Sequence, residues 1–418
     1  MNDRSSIPGT IPPGRTRRAG LAICLAVIAW CQGGLPALAA EEPPTGGRIE
    51  ARPERSAAAR STAAQHLREV YRGAPTTWPA PHVDEGIAWR EIGILPQAVH
   101  PQANPFSRGK MVLGKLLFFD ARLSSSGKIA CVSCHDPGLA WADGRTVSQP
   151  LGKYPGRNAP TIRNAAYRSA LFWDGRAATL EQQAEEALCN PLEMAATGEH
   201  VVALLSSSAR YRELFAAAFP DKSISLASVV EAIACYERTI VGGRSRFDAF
   251  VRGDGAALSE AEILGLDLFR REARCMNCHH GPTFSDDRLH VLGLSFFGKS
   301  NEDLGRYAVS GDPADSGRFL TPSLRDVTRT TPLMHSGLFS LSGVLNMYNA
   351  GMGRLRRRGY RQDDPLFPVT SSHIKPLGLN RQDLADLAAF LGALEEPVDR
   401  ERPPQLPAID AADVTAGR

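Results

Sequence analysis

Two copies of Cys-x-x-Cys-His stand in this chain, Cys131, Cys134 and His135, then Cys275, Cys278 and His279. The spacing sets two thiols on one short turn and delivers an imidazole at the next position. That geometry suits addition of both sulfurs across porphyrin vinyl groups, with the histidine nitrogen ligating the iron. With eight cysteines and ten histidines in 418 residues, composition alone yields about 0.004 such matches. Zinc is the competing chemistry, but it usually needs a second spaced ligand pair, and contiguous Cys-His fits a tetrahedron poorly. The motifs therefore predict two covalently bound haem c groups, with His135 and His279 as proximal ligands.

Each motif is preceded by a helical signal. Residues 109–119 carry Val112, Leu116 and Phe119 at helical spacing. Ser259 opens another helix with a capping box to Glu262 and a stripe of Ala261, Leu264 and Leu268. A weak repeat links the two regions. Gly114-Lys115-Leu116-Leu117-Phe118 leads into the first motif and Pro137; Gly265-Leu266-Asp267-Leu268-Phe269 leads into the second and Pro282. Further helices are predicted over 179–188, 199–215 and 226–241, and a last one from Asn380 with Leu384, Leu387, Ala388 and Leu391 on one face. No series of alternating strands is visible, so the predicted fold is all-α, two cytochrome c-like haem domains packed against each other. The N-terminal haem domain is placed at 86–245 and the C-terminal one at 255–396. Residues 40–85 read as an extension or linker with one helix near 57–71, and 397–418 as a tail.

Residues 1–39 read as a secretory signal peptide: a basic run at 15–18, an apolar stretch from Ala19 to Trp30, then Ala37-Leu38-Ala39 as a cleavage site. The apolar stretch is short for a spanning helix. Taking its four arginines and one aspartate from 48 basic and 45 acidic side chains leaves 44 of each. Such a neutral protein offers no electrostatic attraction to nucleic acid or anionic lipid. Export to the periplasm places the cysteines in oxidising surroundings. Outside the signal and the haem motifs only Cys189 and Cys235 remain, readable as a disulfide or as two buried thiols.

Several longer motifs accompany the haem signatures. They are Leu117-Phe118-Phe119-Asp120 with Leu123-Ser124, Arg157-Asn158-Ala159-Pro160-Thr161, and Phe172-Trp173-Asp174-Gly175-Arg176. Asn190-Pro191-Leu192-Glu193-Met194 and Thr321-Pro322-Ser323-Leu324-Arg325, running on to His335-Ser336-Gly337, complete the set. From about residue 90 to 396 this set resembles the bacterial di-haem cytochrome c peroxidases and their MauG-type relatives. The resemblance implies that Glu193 and its neighbour Gln183 sit over the open face of the N-terminal haem. Splitting peroxide heterolytically requires a proton to move from one oxygen to the other, and a carboxylate can carry it. The resemblance also implies Trp173 as an electron relay between the haems. It further implies a calcium ion held by Asn158 and the carbonyls of Thr330 and Pro332, since calcium takes neutral oxygens readily. Relatives of this kind are often homodimers.

Three departures from the family pattern carry consequences. The loop at 136–157 contains no histidine or methionine to act as a removable sixth ligand. The first haem is therefore expected to be five-coordinate unless His82, His100, Lys153 or Tyr154 steps in. The second haem's distal methionine corresponds to Tyr348, adjacent to Met347. Helical neighbours point about 100° apart, and Leu341, Val344, Leu345 and Tyr348 form one stripe, which favours Tyr348 over Met347. Methionine sulfur holds reduced iron, whereas tyrosinate favours higher oxidation states, as the MauG-type design requires. Finally, Ala273 replaces the surface tryptophan used by MauG-type enzymes, and Ala187 replaces a pocket proline.

The leading expectation is a periplasmic oxidoreductase that reacts with hydrogen peroxide at the N-terminal haem. It would pass oxidising equivalents through Trp173 to a C-terminal haem ligated by His279 and Tyr348, with electrons from a small cytochrome c or cupredoxin. Peroxide-dependent oxidation of residues in a partner protein is the MauG-type alternative. A simple di-haem electron-transfer cytochrome, with two six-coordinate irons, is the reading without enzymatic activity.

Overall fold

The computed structural model describes residues 50–147, 156–353, 363–398 and 401–409. The expected signal peptide, Lys153, Tyr154 and the end of the expected tail lie outside them. The helices in chain order are α1 (Ala57–Val70), α2 (Arg108–Phe119), α3 (Leu180–Cys189), α4 (Gly198–Ser207), α5 (Ala209–Ala218) and α6 (Leu226–Glu237). They continue with α7 (Arg246–Val251), α8 (Glu260–Asp267), α9 (Tyr307–Ser310), α10 (Leu341–Asn349) and α11 (Arg381–Gly392). Among the described residues the only sheet is an antiparallel pair, β1 (Leu289–Val291) with β2 (Arg318–Leu320). The chain is thus helical, as expected. No described helix is long and apolar enough to cross a membrane.

Side chains cap the starts of these helices, at Ser259 and Asn380 as the sequence predicts. Ser107 accepts from Lys110 N at the start of α2, and capping boxes join Ser259 to Glu262 at α8 and Asn380 to Asp383 at α11. The one helix expected over 199–215 is two instead. Ser208 is extended, its hydroxyl caps α5, and it donates to Ala408 O at 2.6 Å, so a tertiary contact and a cap together break the run.

The weak repeat has a packing cause. α2 crosses α6 so closely that a Cβ on Gly114 would lie 1.9 Å from Ala232 O; α8 crosses α11 likewise, with Gly265 2.0 Å from Asp386 O. Phe118 then meets Tyr236 with ring centroids 5.5 Å apart, and Phe269 meets Phe390 at 5.3 Å. Replacing Gly114 with Ala forces backbone apart, not a flexible side chain. The expected cost is about 1–3 kcal/mol, read from denaturation of the haem-loaded protein; an unchanged midpoint would contradict so close a crossing.

Two hydrophobic clusters form around these crossings. The first joins Leu113, Leu117, Phe118, Phe215, Val229 and Tyr236. The second joins Phe247, Ile263, Phe269, Phe284, Leu387 and Phe390. Both ends of the described residues cross over. The expected extension packs on the second cluster through Ala64, Leu67, Tyr71 and Trp78. The tail returns to the first through Leu406 and Ile409, and Arg122 donates to Pro407 O at 2.9 Å.

Candidate haem cavities and active site

Both motifs fold alike. Cys131–Ser133 and Cys275–Asn277 are single 3-10 turns, closed by His135 N on Cys131 O at 3.0 Å and His279 N on Cys275 O at 2.8 Å. His135 Nδ1 lies 3.1 Å from Trp141 O, and His279 Nδ1 lies 2.9 Å from Phe284 O. Trp141 and Phe284 are buried with left-handed backbones, φ 64° and 55°. That conformation is strained for an aromatic residue and is held by its surroundings; here the turn brings each carbonyl to the imidazole. With Nδ1 donating, Nε2 keeps the lone pair that iron needs. Burial lowers the pKa of both rings, His279 to about 4, so both stay neutral.

Each motif lines a cavity. The first holds Cys131, Cys134 and His135 together with Gln183 and Ala187 of α3, Glu193, and Ile233 and Glu237 of α6. The second holds Cys275, Cys278 and His279 with Val344, Leu345 and Tyr348 of α10 and Leu387 and Leu391 of α11. Paired sulfurs, a neutral imidazole and a largely apolar lining fit a covalent haem in each. Cys278 also lies within 4.8 Å of Asp286 and His290. Burial works to lower the His290 pKa, yet the 2.7 Å bond to Asp286 and the nearby Cys278 sulfur carry it to about 10. A sulfur taken up as a haem thioether is no longer the thiolate that a zinc site needs, which counts against zinc there.

Glu193 is placed by the end of α3. Asn190 caps that helix, accepts from Glu193 N at 2.9 Å and donates its Nδ2 to Glu193 Oε1 at 2.9 Å. Burial raises the Glu193 pKa against the pull of Arg176 and Asn190. Arg176 lies 3.4 Å over the Phe172 ring and pairs with Asp174 and Glu186. Neither His82 nor His100 lines this cavity.

Trp173 lines both cavities, as do Asn158 and His335. Its Nε1 donates to Asn158 O at 2.8 Å, and Leu320 N of β2 donates to its carbonyl at 2.7 Å. His335 meets Trp173 edge-on at 6.3 Å and stacks on Phe319 at 3.6 Å. On the second cavity, Tyr348 and not Met347 is the lining residue, and burial raises its pKa. Asn158 Nδ2 donates to Arg145 O at 2.7 Å, so its Oδ1 is the atom left to face a cation. Cys189 and Cys235 are both free, with the Cys235 thiol 4.0 Å from Ser107 O. Glu237 was not singled out by sequence. Its signal is an acid four residues after Ile233, on the apolar face of α6.

Two haem-attachment turns, one sharing its cavity with the Glu193 carboxyl group, define the class as a c-type di-haem protein. A family model described as di-haem cytochrome c peroxidase matches residues 108–256. The methylamine utilization protein MauG of Methylorubrum extorquens is 39% identical over 318 residues, 75% of this chain and 86% of that protein. Cytochrome-c peroxidase IdrP1 of a Pseudomonas species is 36% identical over 349 residues, 74% of this chain and 87% of that protein. A solved MauG-like protein associated with microbial copper homeostasis aligns with a TM-score of 0.65 at 35% identity, covering 72% of this chain and 94% of that one. The chain belongs to the di-haem cytochrome c peroxidase and MauG family.

Proposed function

We propose that the protein is a periplasmic oxidoreductase that consumes hydrogen peroxide in its first haem cavity and shares the oxidising equivalents with the second through Trp173. The observation that carries this reading is Glu193, held by Asn190 in the same cavity as Cys131, Cys134 and His135. When bound, haem supplies the iron at which peroxide and electrons meet. Glu193 accepts a proton from one peroxide oxygen and returns it to the other, while the Gln183 amide orients the oxidant. Trp173, anchored through its indole nitrogen and its carbonyl, bridges the two cavities. Asn158 Oδ1 with the carbonyls of Thr330 and Pro332 would hold calcium beside that bridge.

Tyr348 in the second cavity favours the MauG-type variant of this chemistry, with a protein as the substrate oxidised. Ala273 is buried, so any exit path to such a substrate runs elsewhere. The peroxidase variant instead draws electrons from a small cytochrome c or cupredoxin. Ferric EPR and optical spectra of the holoprotein, before and after peroxide, test the scheme. One high-spin haem and direct reaction of the diferric protein are expected. A need for prior half-reduction would assign the peroxidase variant, and two low-spin haems inert to peroxide would leave a simple electron-transfer cytochrome.

A further inference from the structure

The first cavity contains a second acid. Glu237, at the end of α6, is 3% exposed, lines the cavity with Cys131 and His135, and has no hydrogen-bond partner for its Oε2. The fold does not require an acid there. Ala232 and Tyr236 meet Gly114 and Phe118 as Asp386 and Phe390 meet Gly265 and Phe269. By that register Ile233 corresponds to Leu387 and Glu237 to Leu391, and all four line their own cavities. The twin cavity thus has leucine where the first has a buried acid whose Oε2 has no hydrogen-bond partner. Such a group destabilises the fold, so its presence points to chemistry.

Peroxide reduction supplies that chemistry. One H2O2, two protons and two electrons give two waters: the O–O bond breaks and two new O–H bonds draw on external protons. Glu193 only relocates a proton that the peroxide already carries. Building on the function proposed above, we infer that Glu237 is the proton-supplying residue of the peroxide cavity, giving its carboxylic proton toward the second water and recovering it from solvent. The two electrons come from the protein that is oxidised, a substrate protein in the MauG-type variant or a one-electron redox protein in the peroxidase variant. Burial, aided by Glu181 and opposed by Arg238, raises the Glu237 pKa from 4.5 to about 8, so it holds its proton at neutral pH. Cys131, which feels the charge of Glu237 and, less strongly, that of Glu193, is bound as a thioether when haem is attached.

The sign of the linkage follows. A raised folded pKa gives a contribution to stability that is complete below about 4.5 and lost as pH rises through about 8. Holoproteins carrying Glu237→Leu, the twin cavity's residue, and Glu237→Gln test the inference. Both should keep two haems and the initial rate of reaction with peroxide, yet lose roughly 10–100-fold in steady-state turnover. Both should also lose part of the fall in melting temperature between about pH 4.5 and 8. Wild-type turnover in either variant, or an unchanged melting profile, overturns the assignment. If Glu237→Leu does not fold, Glu237→Gln decides alone. If the unmodified protein ignores peroxide, the function proposed above fails, while the melting profile still reports whether Glu237 holds the proton.

Discussion

Glu193→Gln should lower peroxide turnover by about 10²–10⁴-fold while leaving both haems attached. The amide keeps the shape of the side chain and can still meet Asn190, but it cannot accept a proton and pass it on. Attachment depends on Cys131, Cys134 and His135, which the substitution does not touch. Haem absorbance that stays with the denatured chain therefore reports loading separately from turnover. The pH profile adds a second test. Glu193 must be ionised to accept a proton, and burial raises its pKa, so turnover of the unmodified enzyme should fall on acidification at a higher pH than an ordinary glutamate would set. Retention of full turnover by the amide variant would remove Glu193 from the chemistry.

Tyr348→Met should raise the midpoint potential of the second haem, on the order of a few hundred millivolts. Burial holds the free phenol protonated, and only a bound cation makes the phenolate favourable in such surroundings. An anionic oxygen then stabilises oxidised iron, and a neutral sulfur stabilises reduced iron. The variant should need reduction before it reacts productively with peroxide. Potentials measured by spectroelectrochemistry decide the matter: an unchanged value would show that Tyr348 faces the cavity without ligating.

Much of this was readable in one dimension because the signals are local. A Cys-x-x-Cys-His turn spans little more than a helical turn, and the stripe from Leu341 to Tyr348 spans two. Helix ends were readable at Ser259 and Asn380 for the same reason, since a cap acts three residues away. The break at Ser208 was not, because part of its cause is Ala408, far along the chain. Leu67 and Leu406 announce burial but not against what, so neither the docking of α1 on the second cluster nor the return of the tail to the first could be foreseen.

Sequence by itself determined the covalent chemistry, the helices that carry it, and the candidate acid at Glu193. Tertiary structure alone decided that Trp173 and His335 share the wall of two cavities, and that Glu237 faces one of them where its twin in the other is Leu391. The physical reason is range. Attachment turns and helices are set by neighbours a few residues apart. Cavity walls are assembled from distant helices whose register is set by close crossings such as Gly114 on Ala232.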